Sequence, residues 1–384
     1  MTVATVQPKK KLLMIPGPTN VSDRVMRAML KPLVNHKSKE FHDLLASITE
    51  KGKRLFQTKE NLLTLTASGT GGVEAMTFAL VRPGDSVVVP VYGDFSQRLA
   101  EVIEIAGAKV VKVTAEAGRI PPLADIEDAI RRTEKLKAVY TVHNETATGC
   151  AIPYIRELAE AAHKKGAFMA VDGVSSVGGY SVPVDAWGVD ICVTASQKCI
   201  AAPPGAVLLS LNKEVEAYVK KTPPVVRYFD LAKHLEFYER GGFTAFTPAV
   251  SIFYAVEEAL AELEEETLQK RVARHVECAR LLYSTTESMG LQPFAQKECR
   301  SNTVITLACP EGVEDEKFRE VLSDEHDVVI TGGFGPLKGK ILRVGSMGNV
   351  TPADIRRTTD AMAETFSELG HTLDAKPGVV TRSR

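Results

Sequence analysis

From about residue 60 onward, short apolar runs alternate with stretches in which apolar residues recur every three or four positions. The runs LLTLT (62–66), SVVVPV (86–91), AKVVKV (108–113), LKAVYTV (136–142), FMAVD (168–172), VDICVTA (189–195) and AVLLSL (206–211) predict strands. Between them, helices are predicted near 72–81, 96–106, 123–132 and 154–165. This rhythm predicts an α/β fold with a mostly parallel sheet covered on both faces by helices. From Pro248 to about Gly290 the spacing of Ile252, Ala255, Ala259 and Leu263 predicts one long helix or a helix pair. The pattern then changes. Strands at 302–307, 327–331 and 340–345 surround helices at 314–324 and 352–369, an α+β arrangement. The expected division is an extended arm over 1–20, a large domain over 21–264 and a smaller one over 265–384. The arm ends in Pro16-Gly17-Pro18, too rich in proline for a helix. The tail after Leu373 is predicted to be loose.

Composition narrows the function. Hydrophobic residues make up 44% and charged residues 25%, as in ordinary globular proteins, and the formal net charge is −1. No basic field calls for nucleic acid or anionic lipid. The longest amino-terminal apolar run, Leu12 to Ile15, is too short for a signal or membrane segment, and the final Thr-Arg-Ser-Arg is not a peroxisomal address. Six cysteines form no Cys-x-x-Cys pair and sit mostly in apolar contexts, which predicts buried thiols in a reducing cytoplasm rather than a metal site or disulfides.

The segments AFMAVDGVSS (167–176) and VDICVTASQKCIAAPPG (189–205) carry the most chemistry. Each predicted strand ends on a reactive group: Asp172 closes the first, and Lys198 follows the second. An ionised acid and an amine at the ends of neighbouring buried strands are costly unless something binds them. Pyridoxal phosphate needs that pair, a lysine for the Schiff base and a carboxylate for the pyridine nitrogen. Alone, Lys198 reads as a surface lysine and Asp172 as a turn residue. Placed together, they point to a shared cofactor at the carboxyl edge of an open sheet, where such sheets bind ligands.

A third feature falls on the same edge. ASGTGG (67–72) joins a strand to a helix, so its backbone N–H groups suit a phosphate, with the Thr70 hydroxyl beside them. It lacks the Gly-Lys-Ser/Thr of a nucleotide P-loop and does not fit G-x-G-x-x-G, although Asp94 stands near the spacing of a ribose-binding acid. The same turn could serve packing alone. Arg343, inside the apolar run KILRVGS, needs a partner: a substrate carboxylate or a structural acid. His143 opens HNETATGC, a polar run that can be a plain turn. Under the cofactor reading, Thr146 hydrogen-bonds the cofactor and Phe95 stacks on its ring; otherwise Phe95 is a core aromatic. Glu262 to Glu266 reads as a solvated helix face.

Together these segments resemble the class V aminotransferases of fold type I, nearest to the serine–glyoxylate, serine–pyruvate and alanine–glyoxylate group. The matching stretches are PGPTNV (16–21), ASGTGGVEA (67–75), HNETATG (143–149), VDGVSSVGG (171–179), DAWGVDI (185–191), SQK with PPG (196–198, 203–205) and LRVG (342–345). They span nearly the whole chain in order. The resemblance implies Lys198 as the Schiff-base lysine, Asp172 as partner of the pyridine nitrogen, and Gln197 as a phosphate-holding residue. It further implies Thr70, Gly71 and Gly72 as the phosphate turn, Phe95 as the stacking ring, and Thr146 and Val174 as cofactor contacts. Arg343 matches the α-carboxylate clamp, and Gly17 and the Asn35-His36 loop match substrate-lining segments. One stretch departs from the family. GGFTAFTP (241–248) places Phe243 and Phe246 where relatives carry hydroxyl residues that reach the partner subunit's phosphate. Thr244 or Thr247 takes that role here by expectation.

The implied activity is a ping-pong transamination in a homodimer, with small amino acid donors and 2-oxo acid acceptors. No second arginine is evident for a side-chain carboxylate, which favours serine or alanine as donor and glyoxylate or pyruvate as acceptor. Three further readings stand beside it: an aminoethylphosphonate transaminase, a cysteine desulfurase and a nicotinamide-dependent oxidoreductase. Gln197 stands where a desulfurase carries histidine, and the oxidoreductase leaves Lys198 without a role. A non-catalytic binding protein would keep the phosphate turn but have no need of Lys198.

Overall fold

Strands Ile191–Ala195 and Leu136–Val142 are buried along almost their whole length, which is possible only for strands covered on both faces. The computed structural model, which describes residues 10–371, shows how. Residues 1–9 of the arm and the tail after Leu373 lie outside the described residues. Seven strands form one sheet: β1 (Asn61–Ala67), β2 (Ser86–Val91), β3 (Lys109–Thr114), β4 (Leu136–Val142), β5 (Phe168–Asp172), β6 (Ile191–Ala195) and β7 (Gly205–Leu211). Their order is β1-β7-β6-β5-β4-β2-β3. Strand β7 is antiparallel to both its neighbours, and every other pair is parallel.

Alternate residues of β5 and β6 face opposite layers, as a pleated strand requires. Met169, Val171 and Cys192 join a core with Phe41, Ile48, Leu158 and Phe253. Ala170, Ile191, Val193 and Ala195 join the other, with Met76, Leu99, Ile103 and Leu235. The first layer includes the helix Lys39–Phe56, which falls before the sequence rhythm begins. Ser38 caps it, its hydroxyl accepting from the Phe41 N–H at 3.4 Å, and it buries Phe41, Leu45, Ile48 and Leu55 at helical spacing. Helices Lys213–Lys221 and Leu231–Gly241 are likewise absent from the sequence reading. The former buries only Val215 and Val219, too few for a clear period.

The stretch from Pro248 to Gly290 is a helix pair, Val250–Glu266 and Leu268–Ser288. The break falls at Thr267, in a positive-φ conformation (φ +70°), whose hydroxyl caps the second helix. The two helices serve different cores. Phe253, Val256 and Leu260 pack under the large sheet, whereas Cys278, Ala279 and Leu282 pack with Phe318, Leu342 and Phe366.

That third core lies on a smaller antiparallel sheet of β8 (Val304–Ala308), β9 (Thr331–Gly332) and β10 (Ile341–Gly345), with β10 central. The strand predicted at 327–331 is split. Val328–Val329 pairs in parallel with Leu12–Leu13 of the arm, and only Thr331–Gly332 joins β10. Met14 follows its strand into the same core, so this part of the arm is built into the fold. Among the described residues, no helix is long and apolar enough to cross a membrane.

Candidate active site

The carboxyl ends of β1, β4, β5 and β6 meet at one cleft, a cavity of about 190 Å3. Its walls include Ser68, Gly69 and Thr70 after β1, Asn144 and Thr146 after β4, Asp172 and Val174 at β5, and Gln197 and Lys198 after β6. Sequence reasoning had placed the acid, the amine and the glycine turn on one edge, and the topology brings them to one cavity.

Lys198 is held by its own turn. The Ser196 N–H donates to Ala206 O at 2.9 Å, and the Ser196 hydroxyl donates to Pro203 O at 2.6 Å, closing the 196–203 loop. From the arm, Thr19 N–H donates to Gln197 O at 3.1 Å, and the Thr19 hydroxyl donates to Lys198 O, also at 3.1 Å. From behind, the buried Arg271 donates to Cys199 O at 2.7 Å. The amine itself donates to Pro16 O. Burial pushes its pKa down to about 8, against the attraction of Asp172, and the Arg343 cation pushes it the same way as burial. Near neutral pH, a minor fraction of this lysine, far more than of a free one, is therefore the uncharged, nucleophilic amine.

Asp172 shows the opposite displacement. Burial pushes its carboxyl up to about 6, opposed by the Val174 N–H that donates to Oδ1 at 2.9 Å. Glu145 raises it further and Lys198 lowers it. Among the described residues, no other group hydrogen-bonds that carboxylate. An acid and a base with pKa values drawn toward each other in one cleft mark a functional site.

The part of the glycine turn that faces the cleft lies one step earlier than the predicted Thr70-Gly71-Gly72. Ser68, Gly69 and Thr70 line the cleft, whereas Gly71 and Gly72 do not. Ser68 caps the helix Gly69–Leu80: its hydroxyl accepts from Gly71 N–H at 3.3 Å, and its carbonyl accepts from Gly72 N–H at 3.0 Å. That leaves the Gly69 and Thr70 amides at the positive helix end. Gly72 serves packing instead, since a β-carbon there would stand 2.7 Å from Val193 and 3.0 Å from Val207.

Around the cleft runs a network the sequence reading left out. Thr146 donates its hydroxyl to Ser175 Oγ at 2.9 Å, and Ser175 donates to Asn144 O at 2.8 Å. Ser301 of the smaller unit donates to Asn144 Oδ1 at 2.5 Å. Glu145, fully buried, accepts from Phe95 N–H at 3.2 Å, Ser96 N–H at 2.8 Å, Ser96 Oγ–H at 2.9 Å and Ala147 N–H at 3.0 Å. It thereby fixes the amino end of the helix Asp94–Ile105, which carries Phe95 and Arg98 to the cleft wall. An acid one residue before Thr146, inside HNETATG, was the available signal. His143, by contrast, is buried against Tyr180 and Trp187, and burial pushes its pKa down to about 4, so it is neutral.

Arg343 has no structural acid as its partner among the described residues. It lies on β10, 3% exposed, and no carboxylate ion-pairs with it among the described residues. Its Nε donates to Gly332 O at 2.6 Å and its Nη1 to Thr146 O at 3.2 Å. The Phe334 ring covers its face at 3.9 Å. Burial pushes its pKa down to about 10, which still leaves a cation. A buried guanidinium held by two carbonyls and an aromatic face, with Asp94 and Glu145 acting on it without direct contact, is suited to an incoming carboxylate.

A second arginine also lines the cleft: Arg98, at 5.2 Å over the Phe95 ring and 5.8 Å over that of Phe334. Asp94 pairs with it at 2.7 Å, so that acid is engaged in a helix-surface ion pair. The expectation that no second arginine stands near the site is corrected on this point: the helix turn from Phe95 carries Arg98 there.

Four remaining candidates have their own surroundings. Gly17 lies against the lysine, and a β-carbon there would stand 2.6 Å from Lys198 Cδ. Asn35 is exposed in a turn, its Oδ1 accepting from Lys37 N–H at 2.9 Å, away from the cleft of its own chain. Thr244 donates to Phe246 O at 2.8 Å and Thr247 is exposed; neither lines the cleft of its own chain. Among the described residues no cluster of three or more His, Cys, Asp or Glu could hold a metal.

These features define a fold type I aminotransferase. The family model for Aminotransferase class-V matches residues 13–341, and the chain belongs to that family. An uncharacterized aminotransferase of Methanocaldococcus jannaschii is 37% identical over 94% of each chain. The alanine–glyoxylate aminotransferase of Callithrix jacchus is 34% identical over 92% of this chain and 87% of its own. The crystal structure of ureidoglycine–glyoxylate aminotransferase from Bacillus subtilis superposes with a TM-score of 0.91 at 30% identity, covering 97% of each chain.

The residues fit pyridoxal phosphate. Gly69 and Thr70 offer backbone amides to a phosphate, Gln197 brings a side-chain amide to the cleft wall, and Asp172 has an open carboxylate oxygen in the cleft that holds the reactive amine.

Proposed function

We propose that this aminotransferase uses pyridoxal phosphate to move the amino group of a small amino acid, serine or alanine, to glyoxylate or pyruvate in two half-reactions. The observation that carries the reading is one cleft holding a partly neutral lysine, a buried acid and a buried arginine without an ionic partner. The cofactor, when bound, supplies a ring that accepts the electron pair released as the α-carbon loses its proton.

The protein residues do the rest. Gly69, Thr70 and Gln197 would bind the phosphate, Thr146 and Val174 would contact the cofactor, and Phe95 would stack on its ring. Asp172 holds a proton at the pyridine nitrogen. Arg343 binds the α-carboxylate, which orients the α-C–H bond. The Lys198 amine takes the α-proton from the donor, then returns a proton to the acceptor in the second half-reaction. Gly17 and the Asn35 loop border the substrate in this reading.

The homodimer and the partner-reaching role of Thr244 and Thr247 belong to the same proposal. Leu30 and Leu33, 82% and 72% exposed, are apolar side chains that a second subunit would cover. Six free thiols support a cytoplasmic setting. Arg98 favours a second reading, in which the donor carries a side-chain carboxylate. A visible absorbance scan of the purified protein tests both. The expected result is a yellow band that fades on adding serine or alanine and returns with glyoxylate. Faster fading with aspartate than with either would move the donor class to the second reading, and a protein that stays colourless with pyridoxal phosphate would remove both.

A further inference from the structure

Cys150 and Cys299 come from distant parts of the chain, yet their sulfurs stand 3.6 Å apart. Cys150 lies in the short second strand, Cys150–Ala151, of a hairpin whose first strand is Asn144–Glu145, and it pairs with Glu145. Cys299 ends a single turn, Lys297–Cys299, that leads into β8. The two backbones run side by side: Cys150 bridges Arg300, and Ser301 N–H donates to Gly149 O at 2.9 Å. Of the six cysteines, all described and all free, this is the one thiol–thiol contact. Cys199, for comparison, points its thiol at Ser175 O, 3.7 Å away.

We propose that Cys150 and Cys299 form a reversible disulfide that fastens the hairpin after β4 to the smaller sheet. The geometry is near that of the product. Bonded sulfurs stand about 2.05 Å apart, so each has to move less than about 1 Å, and the adjacent backbones bring the two α-carbons within reach.

The two thiols are not equivalent. Cys150 is fully enclosed, whereas Cys299 is 3% exposed beneath Gln296, Lys297 and Glu298, which are all exposed. A small oxidant reaches Cys299 first, when that turn opens. With hydrogen peroxide as oxidant, the Cys299 thiolate attacks one peroxide oxygen, the O–O bond breaks, and a sulfenic acid and, with one proton, one water form. Cys150 sulfur then attacks Cys299 sulfur, losing its proton and displacing the second water. Two thiols lose two electrons and two protons, and one peroxide becomes two waters. A dithiol reductant reverses the step.

The bond would act where the site is assembled. The hairpin loop includes Thr146, whose carbonyl holds Arg343, and Asn144, which Ser301 binds. A cross-link between residues 150 and 299 closes a long loop, so the oxidised protein should unfold at a temperature higher by several degrees.

The test is treatment of the cofactor-loaded full chain with hydrogen peroxide, followed by peptide mapping without reductant. The expected result is a mass loss of two hydrogens and one linked peptide joining Cys150 to Cys299 within a single chain. It should vanish with dithiothreitol and be missing in Cys150→Ser and in Cys299→Ser, while Cys199→Ser keeps it. Melting temperature, read on the same samples, should rise only where the linked peptide forms. Sulfinic acid at Cys299 without a link, a bond between chains, or six titratable thiols after treatment would each overturn the proposal.

Discussion

Gly17 has no side chain where the stem of Lys198 lies: a β-carbon there would stand 2.6 Å from Cδ and 2.7 Å from Nζ. Its φ of +97° also belongs to the region that glycine alone enters freely. A Gly17→Ala variant must therefore distort the arm or displace the amine from Pro16 O. Backbone strain of about 1–2 kcal/mol is expected, a loss of a few degrees in Tm. Lys198 bears the larger consequence, with kcat falling at least about tenfold while KM changes less. A variant with wild-type kcat would show that the lysine tolerates the arm elsewhere.

Lys198 and Asp172 give opposite pH signatures in the protein without cofactor. The lysine has a folded pKa of about 8 against 10.5 for the free group. The native state thus binds fewer protons than the unfolded state between those values, and stability rises with pH there. Below about pH 8 the full cost of burying the ammonium is present. Asp172, at about 6 against 3.8, costs nothing below the lower value, and its cost grows as pH climbs to the higher one. Lys198→Met should therefore melt above wild type at pH 7, with the gap closing toward pH 10.5. Asp172→Asn should melt level with wild type near pH 3.8 and above it past pH 6. A gap that does not change over either window would contradict these shifts.

Arg343 should separate stability from activity. Its hydrogen bonds go to carbonyls and no acid ion-pairs with it, although Asp94 and Glu145 act on its charge, so replacing it removes a desolvated charge without breaking an ion pair. Arg343→Leu should melt at or above the wild-type temperature. The same variant loses a bidentate contact to the substrate carboxylate worth about 2–4 kcal/mol, roughly 30- to 1000-fold in kcat/KM. Arg343→Lys should recover little, because a single ammonium cannot reproduce the fork. Steady-state kinetics with serine and alanine, beside thermal melts, decide it. A variant that is both unstable and active would reverse the assignment.

What the sequence disclosed and what it hid divide along physical lines. Asp172 and Lys198 were legible because each follows an apolar run buried on both faces, and topology alone then makes them neighbours. The helix Gly69–Leu80 was legible too, but not which of its amides stay open, because Ser68 takes those of Gly71 and Gly72. Glu145 stayed hidden. Its role depends on a helix fifty residues earlier reaching the same strand end, and no local period encodes that. Arg98 stayed hidden for the opposite reason: at helical spacing from Phe95, it reads as any surface arginine until the cleft is seen.

Glu145 itself offers the sharpest remaining test. Its two oxygens accept four hydrogen bonds, three at the start of the helix that carries Phe95 and one from Ala147, just past Thr146. Burial pushes its carboxyl above the ordinary range, yet those donors favour the charged form. Glu145→Ala leaves buried N–H groups unpaired and opens a cavity beneath Gly93, a loss of about 3–5 kcal/mol in stability. Glu145→Gln keeps one accepting oxygen but turns an NH2 toward donors, so a smaller loss of about 1–3 kcal/mol is expected. If Glu145 also sets the position of Phe95 and Thr146, the glutamine variant should bind pyridoxal phosphate about tenfold more weakly at a temperature where it is fully folded. Fluorescence titration of the cofactor beside circular dichroism separates the two roles: unchanged affinity in a folded Glu145→Gln protein would leave it a helix cap and nothing more.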